Sequence, residues 1–123
     1  MRVFVYFNLH KKVWSVKALE GENKGRVIAH ASLVLLENCI FKVSQKGRER
    51  VLTEKRKNVH AGVVGQLIYS TPEKIDQTLV GKLATYNPYK YETFVDAETK
   101  APVLEAGRVL MSAHSKPQVA IVG

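Results

Sequence analysis

The sequence predicts a mainly β protein of the α+β type: an antiparallel sheet of Greek-key or meander-like order, one α-helix over about residues 44–57, and a short C-terminal hairpin. Three observations support this class. Apolar residues alternate with polar ones in many short segments, turns rich in glycine and asparagine separate these segments, and only one stretch has helical spacing. Because the 123 residues are 46% apolar and contain no linker or internal repeat, we expect a single domain over residues 1–123.

The first part of the chain predicts a run of strands. Residues 3–9 are apolar on both faces, which predicts a buried strand, whereas residues 14–18 have one polar face. Two glycines and an asparagine make residues 20–25 a turn, and Asn38 interrupts the last apolar run. A meander is the simplest arrangement, because strands adjacent in sequence tend to pair. The predicted strands are 3–9, 14–18, 26–30, 33–36 and 40–43.

One segment, from Ser44 to about Lys57, has helical character. Ser44 is a good N-cap residue, and no proline follows before Asn58, which is a candidate for the helix end. One helix face carries a narrow stripe, so a lone monomer would bury this helix poorly and an oligomer is favoured. The stripe consists of Arg48, Val51, Leu52 and Lys55.

The second half of the chain predicts further strands and a tyrosine-rich turn. Residues 59–69 alternate over a long strand, in which Gly62 and Gly65 mark a bulge or the close approach of another backbone. Residues 71–74 open a loop or a single helical turn, and residues 86–89 form a turn around a proline. The remaining segments are strands at 79–85, 109–111 and 119–122, and a hairpin over 93–104.

The sequence lacks the spacings that enzymes and metal sites require. No nucleophile motif, phosphate loop or paired carboxylates are evident, so we expect no catalytic residue and no cofactor. The four histidines lie far apart, which argues against a metal site, and the one cysteine, Cys39, lies in an apolar stretch typical of a buried small side chain. No apolar run is long enough for a membrane helix, and we expect a cytoplasmic protein.

The net charge of +8 arises in one half of the chain. Residues 1–60 contain 13 Lys or Arg against 5 Asp or Glu, whereas residues 61–123 contain 6 of each. Such asymmetry predicts a polyanionic partner. The six cations of residues 44–57 form either a phosphate-binding face or a solvated surface in which Arg48 pairs locally with glutamates, and both interpretations stay open.

Several single residues suit a nucleotide ligand. Arg26 follows a glycine at a strand entry, where it either contacts phosphate or is merely solvated. Arg108 stands out as the one arginine after residue 60. Tyr86 and Asn87, followed by Phe94, either stack on a base and bond its ribose or pack against the sheet.

Four segments resemble the first family of Thoeris anti-defence proteins, which are phage proteins that act as nucleotide sponges. The resemblance covers most of the chain at matching length, and it implies a β-rich, Greek-key-like sheet carrying one helix that makes dimer contacts. The segments are VFVYFNLHKK at 3–12, GRVIAH at 25–30, KRKNVHA at 55–61 and YNPYK at 86–90.

This resemblance implies a protein that acts in the host cytoplasm during infection. Its expected ligands are cyclic ADP-ribose isomers made by a TIR-domain enzyme, held without cleavage so that the immune effector stays inactive. Cyclic di- and trinucleotides are further expected ligands, and the expected assembly is a homo-oligomer, either a dimer or a hexamer. Carried onto this sequence, the ligand-binding residues are Arg26, Arg56, Tyr86, Asn87, Phe94 and Arg108. Lys74, Lys82 and Lys116 could equally serve as the cations.

Two other functions remain as hypotheses. The basic first half of the chain favours a small nucleic-acid-binding protein as the alternative, although no helix-turn-helix, zinc finger or RNP-type aromatic motif accompanies the charge. The third hypothesis is a phosphodiesterase-like enzyme, which turnover of a cyclic nucleotide would establish.

Overall fold

A computed structural model describes residues 1–70, 81–113 and 116–122. The elements in these ranges are β1 (Arg2–Asn8), β2 (Val13–Ala18), β3 (Val27–Ala31), β4 (Leu33–Val43), α1 (Gln45–Glu54), β5 (Ala61–Tyr69), β6 (Lys82–Thr85), β7 (Val95–Asp96), β8 (Glu105–Ser112) and β9 (Gln118–Ile121). The described strands form one antiparallel sheet in the order β3-β2-β1-β5-β4-β8-β9-β6-β7. The predicted fold class, a mainly β protein with an antiparallel sheet and a helix, is confirmed.

The strand order is a meander at one end and a crossover in the middle. β3, β2 and β1 pair in reverse chain order, and β5 returns to lie antiparallel beside β1. Three hairpin-linked strands with a later strand beside the first are the Greek-key arrangement. The order departs from a simple meander at β3 and β4, because only Ser32 separates these strands and a hairpin loop needs about two residues.

One face of the sheet surrounds the main core. Trp14 of β2 and Val119 of β9 belong to the same buried cluster although their strands lie far apart in the sheet order, so the sheet curves around one core. In β1, Val3 is fully buried in this core, whereas Phe4 and Tyr6 are half-buried on the opposite face. The expectation that this strand is buried on both faces is therefore wrong for the face that carries the aromatic rings.

Two irregularities shape the central strands. The predicted strands 33–36 and 40–43 are one strand, in which Asn38 adopts φ 53° and the register to β5 shifts. Asparagine tolerates this left-handed geometry, so it makes a bulge instead of a break. In β5, a Cβ on Gly62 would lie 2.3 Å from the carbonyl oxygen of Val5, which confirms the predicted close approach of another backbone.

The helix α1 lies in the connection between β4 and β5. Ser44 is the N-cap, as predicted, and its own N–H donates to His60 O at 2.7 Å. The helix ends at Glu54, earlier than predicted, because Lys55 adopts a left-handed φ of 58° and its N–H donates to Val51 O. Val51 is the buried residue of this described helix, so the apolar stripe is as narrow as expected. Homo-oligomerisation stays a prediction.

The C-terminal hairpin is confirmed. Asp96 accepts two backbone N–H bonds in its turn, at 2.8 and 3.0 Å, and a bridge joins Val95 to Pro102. The predicted loop at 71–74 and the beginning of the predicted strand at 79–85 lie outside the described residues.

Candidate functional site

A pocket of about 540 Å³ lies where the end of α1 meets the turn at 86–89. Aromatic and apolar side chains form most of its wall, and two exposed lysines lie at its edge, Lys55 and Lys57. We name it the tyrosine pocket. It is lined by Phe7, Leu9, Val51, Lys55, Lys57, Asn58, Val59, His60, Ala61, Tyr86, Asn87, Pro88 and Tyr89.

The helix holds the tyrosine-rich turn in place through side-chain bonds. Arg48 Nε donates to the carbonyl oxygens of Pro88 and Tyr91, at 3.1 and 3.0 Å. Gln45 Nε2 donates to Glu92 O at 3.0 Å. These bonds join residues at least 40 positions apart in sequence. Two interpretations of the helix cations stayed open, a local ion pair with a glutamate and a phosphate contact. Neither describes Arg48, because its guanidinium binds the carbonyl oxygens of the turn.

His60 positions the Tyr86 ring in the pocket wall. The His60 Nδ1 lies 2.7 Å from Asn58 O, and since a carbonyl oxygen only accepts, this nitrogen carries the proton. In the neutral ring Nε2 is then the acceptor, so the Tyr86 hydroxyl donates to it at 2.7 Å. Gly47 makes room for this arrangement, because a Cβ there would lie 2.4 Å from the Cβ of His60. The phenol oxygen retains lone pairs with which it can accept from a ligand.

Phe94 supports the Tyr86 ring from the core side. Their ring centroids are 5.4 Å apart, and Phe94 also packs on Phe41 at 5.1 Å. Burial raises the pKa of Tyr86 above its ordinary value of 10.0, while the positive charge of Arg48 opposes the shift. Tyr86 is therefore a neutral phenol at physiological pH.

Asn87 shapes the turn that carries Tyr86. Its Oδ1 accepts the N–H of Tyr89 at 2.9 Å, and its carbonyl oxygen accepts from Lys90 and Tyr91 at 3.0 and 2.8 Å. The side-chain oxygen thus stabilises the turn. The amide NH2 is the part of the Asn87 side chain that can donate to a ligand.

Lys55 and Lys57 give the pocket its positive charge. Among the described residues that line it there are these two lysines and no Asp or Glu. The left-handed conformation of Lys55 ends the helix and leads the chain along the pocket edge. Sequence reasoning assigned both lysines to the helix, so it missed them as site residues. The run of three cations at residues 55–57, shortly before His60 and β5, was the signal available in the sequence.

Four of the six predicted ligand-binding residues lie in or beside the tyrosine pocket. Tyr86 and Asn87 line it. Arg56 lies between the two lining lysines in sequence but is not itself a lining residue. Phe94 is 7% exposed and lies behind Tyr86, so it supports the stacking ring without facing the pocket.

The other two predicted arginines lie elsewhere. Arg26 is in the turn before β3, where its carbonyl oxygen accepts the N–H of Ala18 at 2.9 Å. Arg108 lies in β8 with its Nε 3.9 Å from Glu37 Oε1 on β4. Neither lines the tyrosine pocket in the described part of the chain. The strand order explains this correction, because β3 and β8 are each separated by at least one strand from β1 and β5, whose residues contribute to the pocket.

The remaining candidate groups have other roles. Cys39 is 2% exposed, as expected for a small core side chain, and burial raises the pKa of its thiol to about 11. Among the described residues, no cluster of three or more His, Cys, Asp or Glu is placed to hold a metal ion. No helix within the described ranges is long and apolar enough to cross a membrane. His114 lies outside those ranges.

The fold and the pocket define a small antiparallel β-sheet protein with an aromatic pocket flanked by lysines. The chain belongs to the family of the Mycobacterium phage L5 gene 82 protein, whose model matches residues 1–119. It is 50% identical over 118 residues to the gene 82 protein of Mycobacterium phage L5, and the match covers 91% of this chain and 90% of that protein. No solved structure gives a significant match. The expectation of a phage protein family is confirmed, and the anti-defence assignment stays a prediction.

Proposed function

We propose that this protein binds a cyclic ADP-ribose-type signalling nucleotide in the tyrosine pocket and sequesters it without cleavage. The observation that carries the proposal is a fixed tyrosine ring in a pocket of about 540 Å³ whose described lining includes two lysines and no acid. Such a pocket offers an aromatic surface for a base and positive charge for phosphates at the same time.

The size and walls of the pocket suit a ligand of nucleotide size. Small-molecule sites have volumes of roughly 300–1,000 Å³ and mostly apolar linings with a few polar groups. Here Tyr86 and Pro88 supply flat surfaces, and Asn87 supplies an amide donor for a ribose hydroxyl. Because the Tyr86 ring is held by His60 and Phe94, little side-chain entropy would be lost when a base stacks on it.

The charges of the pocket suit phosphate. Lys55 and Lys57 lie at its edge, and the neighbouring Arg56 adds to the positive potential of this segment. Lysine binds phosphate through a charge-assisted hydrogen bond. With a phosphate between Lys55 and Lys57 and the base stacked on Tyr86, both the lysines and the aromatic ring contact the ligand. An apolar ligand would leave the two lysines without a partner.

The hydrogen bonds of His60 favour binding over cleavage. Both ring nitrogens already have partners, Asn58 O and the Tyr86 hydroxyl, so this imidazole serves to position the tyrosine. A general base for phosphodiester cleavage needs a nitrogen or carboxylate oxygen within reach of the attacking group. Sequestration requires only affinity, which the aromatic ring and the lysines supply.

Capture of this kind explains how such a phage protein would act against a TIR-dependent defence. The TIR enzyme makes the signal, and a protein that holds the signal lowers its free concentration below what the effector requires. We propose that this blocks Thoeris immunity in the host cytoplasm, with a homo-oligomer as the functional form and cyclic di- or trinucleotides as further ligands.

The test is capture followed by recovery. The purified full chain is incubated separately with cyclic ADP-ribose isomers and with a cyclic dinucleotide, and the free nucleotide is measured by chromatography after ultrafiltration. We expect depletion close to one nucleotide per site, and intact nucleotide on heat denaturation of the protein. No depletion with any cyclic nucleotide would overturn the proposal, and recovery of a linear product would establish an enzyme instead.

Matched variants locate the site. Lys57→Ala removes one charge-assisted bond and should weaken capture by roughly tenfold or more. Arg50→Ala removes the same charge from an exposed helix position, and Arg108→Ala removes it from outside the pocket, so both should leave capture unchanged. Equal losses in all three variants would indicate a diffuse polyanion surface. In cells that carry a TIR-dependent defence, the wild-type chain and not Lys57→Ala should restore phage growth.

A further inference from the structure

A second aromatic group lies on the opposite face of the sheet from the core. Phe4 and Tyr6 are two residues apart on β1, so both side chains leave the strand on the same side. Their ring centroids are 5.8 Å apart with an interplanar angle of 31°. We name these two rings and their neighbours on β2 and on the turn before β3 the aromatic face.

The backbone of β5 is shaped to accept the Phe4 ring. A Cβ on Gly62 would lie 2.7 Å from Phe4 Cε1 and 2.3 Å from Val5 O. The ring therefore lies across the position where β5 has no side chain. Tyr6, the next residue of β1 on the same face, extends the aromatic surface. It is half-buried, so part of the side chain is exposed to solvent.

Positive charge borders these rings on the β2 and β3 side. Lys17 on β2 pairs directly with Phe4 in the strand register. A cleft of about 440 Å³ lies along this border. Arg26 is not itself a lining residue, but in the sequence it stands between two residues that are, Gly25 and Val27. The cleft is lined by Phe4, Tyr6, Lys17, Gly25, Val27 and Val59.

Carboxylates border this face on both sides: Glu20 and Glu22 lie in the turn that leads to Arg26, and Glu20 Oε1 accepts the N–H of Arg2 at 2.8 Å. Phe4 on β1 pairs with Val64 on β5, which pairs with Ile40 on β4. Ile40 in turn pairs with Glu105 on β8, so Glu105 is three strands away from Phe4. Glu37 on β4 lies beside Arg108. On the β2 and β3 side, the three cations Lys17, Lys24 and Arg26 outnumber the two carboxylates Glu20 and Glu22, so this side of the face keeps a net positive charge.

We propose that the aromatic face binds single-stranded nucleic acid, with bases stacked on Tyr6 and Phe4 and phosphates on Lys17 and Arg26. Aromatic rings beside cations on an open sheet are the features by which proteins hold unpaired bases with little sequence preference. A duplex keeps its bases stacked within itself, and among the described elements this face projects no helix that could enter a groove. The face also lies within residues 1–60, which carry the whole charge excess of +8.

This binding is independent of the tyrosine pocket. Val59 borders both the pocket and the cleft, but the rings and the cations are different in the two sites. A cyclic nucleotide in the pocket and a single strand on the aromatic face should therefore bind without competition.

The test is fluorescence anisotropy with a labelled twelve-nucleotide single strand of mixed sequence, as DNA and as RNA, and with the matched DNA duplex. For the wild-type chain we expect tighter binding of the single strand than of the duplex, and weakening as salt increases. Excess cyclic ADP-ribose and the Lys57→Ala variant should leave the affinity unchanged within about twofold. Absence of single-strand binding at low salt, or preference for the duplex, would overturn the proposal.

Three variants identify the contacts. Tyr6→Leu keeps apolar cover over the sheet but removes the stacking ring, and should weaken binding at least about fivefold, whereas Tyr6→Phe keeps the ring and should bind like the wild type. Lys17→Ala should reduce the slope of log affinity against log salt by about 0.7. Lys100→Ala, in the hairpin after β7 at the other end of the strand order from β3, is the charge-matched control. Circular dichroism verifies folding. Unchanged affinity in folded Tyr6→Leu and Lys17→Ala, or equal weakening by Lys100→Ala, would overturn the assignment.

Discussion

The tyrosine pocket and the aromatic face both place aromatic rings beside lysines, but different parts of the chain hold the rings in place. On the aromatic face the rings stand on a strand paired on both sides, and the Gly62 backbone sets the position of Phe4. In the pocket, the Tyr86 ring stands on a turn that Arg48 and His60 hold through side-chain bonds. The pocket can therefore be loosened while the sheet persists, whereas the face cannot change without the sheet.

The strongest test of this difference is Gly62→Ala. The added Cβ would lie 2.3 Å from the carbonyl oxygen of Val5, and paired backbone cannot move away as a flexible side chain could. We expect the free energy of unfolding to fall by about 3 kcal/mol, since overpacking of a fixed neighbour costs this much. Urea denaturation followed by circular dichroism measures the change.

Gly65→Ala is the graded control for this substitution. Its Cβ would meet Glu37 O at 3.1 Å and Cys39 Sγ at 3.2 Å, which requires shifts of only a few tenths of an ångström. The loss should be clearly smaller than for Gly62→Ala. Equal losses would mean that the sheet around Gly62 is as adaptable as the rest of β5, and the contrast with the pocket would disappear.

The second test, Arg48→Ala, acts on the pocket. It removes the donor to Pro88 O and Tyr91 O, and bonds from a charged group are worth about 1.5–3 kcal/mol, so we expect a loss of about 2 kcal/mol. The turn should also open locally, so hydrogen exchange of the Lys90 and Tyr91 amides, which bond to Asn87 O, should accelerate at least tenfold relative to amides of β1.

Arg50→Ala is the control for Arg48→Ala, because Arg50 lies exposed on the same helix. It should change neither the exchange of the turn nor the capture of nucleotide. If Arg48→Ala instead accelerated exchange equally in the turn and in β1, the turn and the sheet would be one cooperative unit, and the pocket could not be loosened by itself.

Features that depend on local conformational preferences could be predicted from the sequence, whereas features that depend on contacts between distant segments could not. Ser44 as N-cap, the glycine turn before β3, the close approach at Gly62 and the turn at Asn87 were all predictable, because each depends on the conformational preference of one residue or its neighbours. The strand alternation that predicts the sheet is equally local.

The composition of the site was harder to predict, because it depends on contacts between distant segments. Lys55 leaves the helix through a left-handed conformation that its position after Glu54 did not indicate. Residue type groups Arg26 and Arg108 with Tyr86 as nucleotide-binding candidates, and only the strand order shows that they lie apart. In the sequence, Asn38 predicts a break between two strands, because the sequence of one strand does not show that β4 continues to pair with β5 and β8 beyond this residue.

The prediction with the smallest expected effect concerns how the free energy of unfolding depends on pH. Each of the two regions contains a weakly acidic side chain whose charged form is disfavoured by burial. The pKa of Cys39, in the sheet, is raised from 9.0 to about 11 by burial, against the opposing influence of the Val109 N–H and Arg2. The pKa of Tyr86, in the pocket, is raised from 10.0, also by burial. Above pH 9 the unfolded chain loses the thiol proton that the folded chain retains, so stability falls as pH rises through this window.

Between about pH 8.5 and about pH 10, the wild type should therefore lose about 1 kcal/mol more than Cys39→Ala. The stability of Tyr86→Phe should have the same pH dependence as that of the wild type over most of this range, because a tyrosine in the unfolded chain loses its proton around the ordinary pKa of 10.0. The two curves should diverge only above that pH. Urea denaturation at each pH, with reductant present, measures the slopes. Parallel curves for the wild type and Cys39→Ala would mean that solvent reaches the thiol in the folded state. The sheet would then open locally around Cys39, and its backbone pairing would be no more rigid than the side-chain bonds that hold the tyrosine pocket.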